Sequence, residues 1–242
     1  MKRNLVWVVL AASAILAACS GRNDVPESVL WINGTHAVLT RVNGGDVSRF
    51  GTMPANAVNR TMMRTSLEQW WGVTSRQELE SVIDSLSRGA QHNQRFMSEA
   101  EMYGITAMSR GEFEAALQGV ASREDALFFR NMFEAYQAFG ANAIMGWDLS
   151  RATQLSAHGY VAGFFTRDEA IDIALGVGAL IQGAFDSRAD FYRSYMFGFA
   201  YWSGADFGDP RSEFAGRAGI AEALMSEAGS PLALAWRTEL NR

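Results

Sequence analysis

SRQELESVIDSLSRG, residues 75–89, carries the pattern on which the fold class rests. Ser75 followed by Glu78 has the spacing of a capping box. In that motif the serine side chain takes the backbone N–H three residues on, the glutamate reaches back, and an amphipathic helix follows. Gly89 then supplies the left-handed stop with which helices commonly end. The same punctuation recurs along the chain. Residues 60–71 read as a helix closed by Gly72. Ser109 with Glu112, Ser122 with Asp125 in a weaker form, and Thr166 with Glu169 each open an amphipathic segment. Phe128, Phe129, Met132, Phe133, Tyr136 and Phe139 make an aromatic stripe at helical spacing ahead of Gly140, and Tyr195, Phe199 and Trp202 repeat it before Gly204. Asp209-Pro210 and Ser230-Pro231 each place a cap before a proline at the first helical position. Nearer the start, Val29, Leu30, Ile32, Val38, Leu39 and Val42 predict one helix ending at Asn43-Gly44, although Asn33-Gly34 would equally suit a hairpin turn. Residues 44–57, rich in Gly, Asn and small side chains, read as a loop. No stretch sustains period-two alternation. The expected fold is therefore all-α, one bundle-like domain of roughly eight to ten helices spanning residues 27–242.

The N-terminus predicts an address. Lys2 and Arg3 form a positive start, Leu5 to Leu16 an apolar run, and Leu16-Ala17-Ala18-Cys19 a small-residue processing site ending in the chain's one cysteine. This resembles a bacterial lipoprotein signal. The resemblance implies that residues 1–18 are removed as a signal peptide and that Cys19 is acylated. Residues 19–26 would then form the lipidated cysteine and a short tether. A retained, uncleaved anchor is the alternative, but the apolar run is short against the roughly 20 residues that cross a bilayer. Ser20 stands where an aspartate would signal inner-membrane retention, so the expected location is the cell envelope, on the outer membrane facing the periplasm. With one cysteine there is no disulfide, and the fold must stand on its core. The formal net charge of −5, with no basic stripe beyond the first residues, argues against a nucleic-acid partner. The expected partners are membrane lipid, through acylated Cys19, and an envelope protein.

For chemistry, absences weigh most. His36, His92 and His158 are far apart, none lies in an HExxH pattern, and no cysteine is free for zinc, so no metal is expected. There is no GxSxG elbow and no GxxxxGK loop. Gly176-Val177-Gly178 sits inside an apolar segment, where small residues permit close helix packing; no strand precedes it to make a dinucleotide site, and no cofactor is expected. What remains is ANAIMGWDLSRATQLSAH, residues 141–158, an apolar helix with Asp148 and Arg151 in its middle. Three apart, the two can pair across one turn. The pair is either a buried structural tie or a site in which Asp148 serves as acid or base and Arg151 binds an anionic group. His158 lies about 10 to 15 Å further along the helix and does not reach them directly. The tryptophans Trp71, Trp147 and Trp202 are the candidate binding residues, with core packing as the competing role.

Several words in fixed order then carry a resemblance over residues 29–204: Trp70-Trp71-Gly72-Val73, Gly146-Trp147-Asp148 with Arg151, Gly159-Tyr160, Glu169-Ala170, and Phe185, Ser187, Tyr195, Gly198 and Trp202. The chain resembles an uncharacterised bacterial all-helical family, a domain of unknown function that includes the enterobacterial YbeR and YbeU proteins. In that pattern a tryptophan usual after the Ser187 position is Arg188 here, and a Gly-His-Arg element is altered around residues 89–95. The family carries no established activity, so the resemblance implies a fold and no reaction. The functional expectation is a membrane-anchored lipoprotein whose helical domain binds or interacts without catalysis. An envelope hydrolase using Asp148 is the alternative.

Overall fold

The computed structural model describes residues 25–241. The signal segment 1–18, Cys19 and most of the tether lie outside the described residues.

The capping boxes form as the spacing predicts. Glu78 N donates to Ser75 Oγ at 3.3 Å while Ser75 N donates to Glu78 Oε2 at 3.0 Å. The reciprocal pairs also close at Ser109 with Glu112 and at Thr166 with Glu169. Among the described residues the chain makes eleven α-helices: α1 (Glu27–Thr35), α2 (Ala37–Val42), α3 (Ala57–Trp71), α4 (Arg76–Ser87), α5 (Asn93–Met102), α6 (Arg110–Leu117), α7 (Arg123–Phe139), α8 (Met145–Ala162), α9 (Arg167–Ala184), α10 (Arg188–Ser203) and α11 (Glu213–Ser226). Three 3-10 turns, Ile105–Ala107, Gly140–Asn142 and Pro231–Ala233, join or follow them. There are no strands among the described residues.

This exceeds the expected eight to ten helices, and residues 27–42 supply one reason. They form two helices, not one, and no hairpin turn at Asn33-Gly34. The Tyr192 hydroxyl, on α10, donates to the Gly34 carbonyl just before the break. At the break His36 leaves helical geometry, with φ −123° and ψ 13°, and its ring is buried beside Thr153. Asp209-Pro210 also departs from expectation. It opens a turn, and the helix that follows is capped by Ser212, whose side chain accepts from Ala215 N.

α8 is the axis of the molecule. It is buried on almost every side and packs against α1, α3, α4, α9 and α10. A helix enclosed all round can carry its apolar residues in any direction, which is why α8 shows no clean amphipathic stripe. Its first turn meets α10 closely enough to require glycine. A Cβ on Gly146 would lie 2.6 Å from the Phe191 carbonyl oxygen and 2.8 Å from Tyr195 N, and Gly198 faces the Trp147 side chain. A second, smaller core gathers Phe96, Ile105, Phe113, Met132 and Phe133 between α5, α6 and α7, with Phe113 and Phe133 stacked at 4.1 Å. Within α9, Gly178 packs against Ile32 as the close-packing reading expects, whereas Gly176 faces open space.

The chain's last stretch closes over its first helix. Trp31 Nε1 donates to the Trp236 carbonyl at 3.0 Å, the two indoles lie 5.2 Å apart, and Gln182 Nε2 donates to the carbonyls of Trp236 and Thr238. Arg188 lays its guanidinium over Trp31 at 5.4 Å and Trp236 at 5.5 Å. Among the described residues no single helix is long and apolar enough to cross a membrane.

Candidate functional site

Asp148 sits in the first turn of α8 and is fully buried. Its Oδ2 accepts from His92 N at 3.1 Å and from Asn93 N at 3.0 Å, and its Oδ1 accepts from His92 Nδ1 at 2.5 Å. The two amides are the first of α5, whose own cap residue, His92, makes no side-chain cap bond. Asp148 therefore does for α5, from another helix, what an aspartate at the cap position does locally: it satisfies orphan donors and puts negative charge at the positive end of a helix. Asn93 completes the clasp by donating to the Ala141 carbonyl at 2.8 Å and accepting from Ile144 N at 3.0 Å.

The expected Asp148–Arg151 pair is thus corrected. The first-turn position aims Asp148 back toward the start of its helix and into α5, while Arg151 lies over the Trp147 ring at 4.2 Å and hydrogen-bonds only Gln154, at 3.4 Å. Its Nε is shut off from solvent and has no partner among the described residues. Burial, with the nearby Arg217 charge, lowers the Arg151 guanidinium to about 10 against the opposing pull of Tyr195 and Asp148.

Around Trp147 a ring cluster forms: Tyr195 at 5.3 Å, Trp202 at 5.8 Å and Phe199 at 6.0 Å. Arg217 reaches in from α11, its guanidinium 4.1 Å over Phe199 and its Nη1 donating to the Tyr195 hydroxyl at 3.3 Å. Trp147 is fully buried with its Nε1 unpartnered, while Trp202 is 54% exposed. Trp71, the third candidate tryptophan, is half-buried on α3 and makes no ring contact with this cluster.

Further along α8, His158 is lowered to about 4 by burial and then by the Arg151 charge, and His36 to about 3 by burial and then by His158. Both are neutral at ordinary pH. His36 Nδ1 lies 3.4 Å from Thr153 Oγ1. Among the described residues no group of three or more His, Cys, Asp or Glu side chains could hold a metal ion. Surface concavities lie elsewhere: about 600 Å³ along the Val58–Met62 face of α3, and about 140 Å³ between Tyr103, Phe113, Leu117 and Phe129.

A family model described as a protein of unknown function, DUF1266, matches residues 66–238. The chain belongs to the DUF1266 family. No curated protein and no solved structure matches it. In this DUF1266 chain the matched span contains His92, Asp148, Arg151, Tyr195, Trp202 and Arg217, and begins inside α3, after the helices that supply Trp31 and His36. Sequence reasoning missed two contributors, His92 and Arg217. His92 had a signal: α5 opens with no Ser, Thr or Asp at its cap and no acid in its first turn, so its start calls for a carboxylate from elsewhere. Arg217 had none, since nothing local marks it as facing α10.

Proposed function

We propose that this chain is a lipid-anchored protein of the bacterial envelope, on the outer membrane facing the periplasm, whose helical domain works by binding. The reading of the domain rests on one observation: Asp148, the best acid or base in the sequence, is fully enclosed, with both oxygens held by His92 and the opening amides of α5. A general acid or base must reach the proton it moves. The hydrolase alternative has one geometric point in its favour, that Asp148 orients His92 through Nδ1 while the His92 side chain stays 24% exposed. Against it, no hydroxyl, thiol or amine among the described residues hydrogen-bonds His92, so the pair lacks the nucleophile that gives such a dyad its chemistry. The anchor rests on Leu16-Ala17-Ala18-Cys19 and on the basic start before it. Acylated Cys19 would hold the domain to membrane lipid, with an envelope protein as its further partner.

Metabolic labelling with a fatty-acid probe tests the anchor. The wild-type chain should take up label and partition with membranes, and Cys19→Ala should lose both. Label on Cys19→Ala, or membrane retention of its uncleaved form, would reject the lipoprotein reading. Alanine at His92 tests the absence of catalysis: any ester- or amide-hydrolysing activity of the purified protein that disappears in His92→Ala while the fold persists would establish the hydrolase.

A further inference from the structure

The Asp148 clasp explains one charged residue of the cluster and leaves two cations unexplained. Arg151 from α8 and Arg217 from α11 flank Tyr195, and neither is paired with a carboxylate among the described residues. A guanidinium carries five N–H donors. Of the ten in this pair, protein acceptors meet two, Gln154 Oε1 at 3.4 Å and the Tyr195 hydroxyl at 3.3 Å, both at the long end of hydrogen-bonding range. The rings of Trp147 and Phe199, over which the two guanidinium carbons lie at 4.2 and 4.1 Å, attract the charge but offer no oxygen acceptor to its N–H groups. Two more donors belong to the residues that these guanidiniums touch, Trp147 under Arg151 and Tyr195 beside Arg217. The Trp147 indole N–H is buried and unpartnered, and the Tyr195 hydroxyl accepts from Arg217 while no acceptor for its own proton is found among the described residues. Two like charges held partly out of water, one of them with a buried and unpartnered Nε, work against stability unless something offsets them. Some other arginines of the chain do have carboxylates, as Arg76 has Glu80 and Glu169 and Arg110 has Glu134, while others, such as Arg64, bond a backbone carbonyl.

Resting on the reading of the domain as a binding module, we propose that Arg151 and Arg217, with the Tyr195 hydroxyl and the Trp147 indole N–H, form a site for an oxyanion group, a carboxylate or phosphate, whose carrier lies against the exposed face of Trp202. Forked guanidiniums fit the paired oxygens of such groups. Trp202, beside Trp147 and more than half exposed, offers an apolar face where the rest of the ligand would leave the protein. The local charge is positive in a chain whose net charge is −5, so the site selects anions by its own residues and not by the protein's overall field.

The test is a titration of the full-length protein in non-ionic detergent, followed by intrinsic tryptophan fluorescence and by melting temperature. The probes are inorganic phosphate, acetate and a short-chain phosphatidic acid, each up to about 10 mM with chloride holding ionic strength constant. At least one should give a saturable change. Inorganic phosphate or acetate alone would identify a free anion, and phosphatidic acid alone a lipid headgroup. Arg217→Gln should weaken the response at least about tenfold, and Arg217→Lys, which keeps the charge but not the fork, should weaken it less. Arg217→Lys also carries the test should Arg217→Gln fail to fold. The proposal is overturned if no probe exceeds the chloride control, or if Arg217→Gln binds as the wild type does. That failure would leave the lipid anchor and the non-catalytic reading standing, since those fall only on Cys19 labelling and on His92-dependent hydrolysis.

Discussion

Replacing Asp148 by asparagine keeps the size of the side chain and removes its charge, which isolates the work of the clasp. In the native protein one carboxylate receives three hydrogen bonds, two from amides at a helix start and one from an imidazole. Bonds to a charged group contribute about 1.5–3 kcal/mol each, and a charge at a helix end up to about 2 kcal/mol in buried settings. Asparagine keeps one acceptor oxygen, which can turn to the amides. Its amide group then faces His92 Nδ1, so that bond survives only if the imidazole takes its other tautomer. The expected loss is about 2–4 kcal/mol, below the sum of the three bonds because part of the geometry persists. Urea unfolding monitored by circular dichroism measures it, with an unchanged m-value as the sign that the native state is otherwise intact. A double-mutant cycle then separates the candidate partners. His92→Ala should couple to Asp148→Asn by about 1 kcal/mol or more, whereas Arg151→Gln should couple by less than about 0.5 kcal/mol. A stability change under about 0.5 kcal/mol, or coupling to Arg151 in place of His92, would refute the clasp.

Acid should weaken the fold through the two buried histidines. His36 and His158 are held at about 3 and about 4 when folded, below their ordinary 6.5, so the unfolded chain binds protons first. Their contribution is fully present above pH 6.5 and is lost as pH falls from there toward 4, by up to about 1.4 kcal/mol per pH unit for each. His158→Gln should flatten the fall of melting temperature between pH 6.5 and 4; an unaltered profile would show that His158 is not held neutral by burial. Gly146→Ala should destabilise by about 1–3 kcal/mol or more, because the new methyl meets the α10 backbone, while Gly176→Ala, exposed on α9 with nothing near, should stabilise by about 0.4–1 kcal/mol in the same unfolding assay. Ser75→Ala removes half of the α4 capping box and should cost about 1 kcal/mol by thermal unfolding; no change would mean that α4 is held by tertiary packing alone.

Local signals were legible and distant ones were not. The capping boxes, the glycine stops at Gly72 and Gly204 and the aromatic stripe of α7 are each written within one or two turns of chain, and each forms as read. The break at His36 is invisible locally because the contact made beside it, from the Tyr192 hydroxyl to the Gly34 carbonyl, spans 158 residues. The charged centre follows the same rule. Spacing alone puts Asp148 and Arg151 on one helix face, but which partner each takes depends on what the other helices bring. Here α5 brings two amides and an imidazole to Asp148, and α11 brings a second arginine toward Arg151.

The closure of residues 231–241 over α1 has a consequence for how the domain comes into being. Synthesis delivers the chain N-terminus first, so Trp31, fully buried in the finished fold, emerges some two hundred residues ahead of Trp236, whose carbonyl takes its indole N–H and whose ring lies beside it. Until the final segment arrives, that side of α1 is an uncovered apolar surface in a chain expected to be tethered beside a membrane. The irregular segment that covers α1 is therefore also its timekeeper: this side of the domain reaches its final form only when residues 231–241 have been delivered. A stop placed before Trp236 should leave a chain that exposes Trp31 to quenchers and to proteases even with all eleven helices encoded.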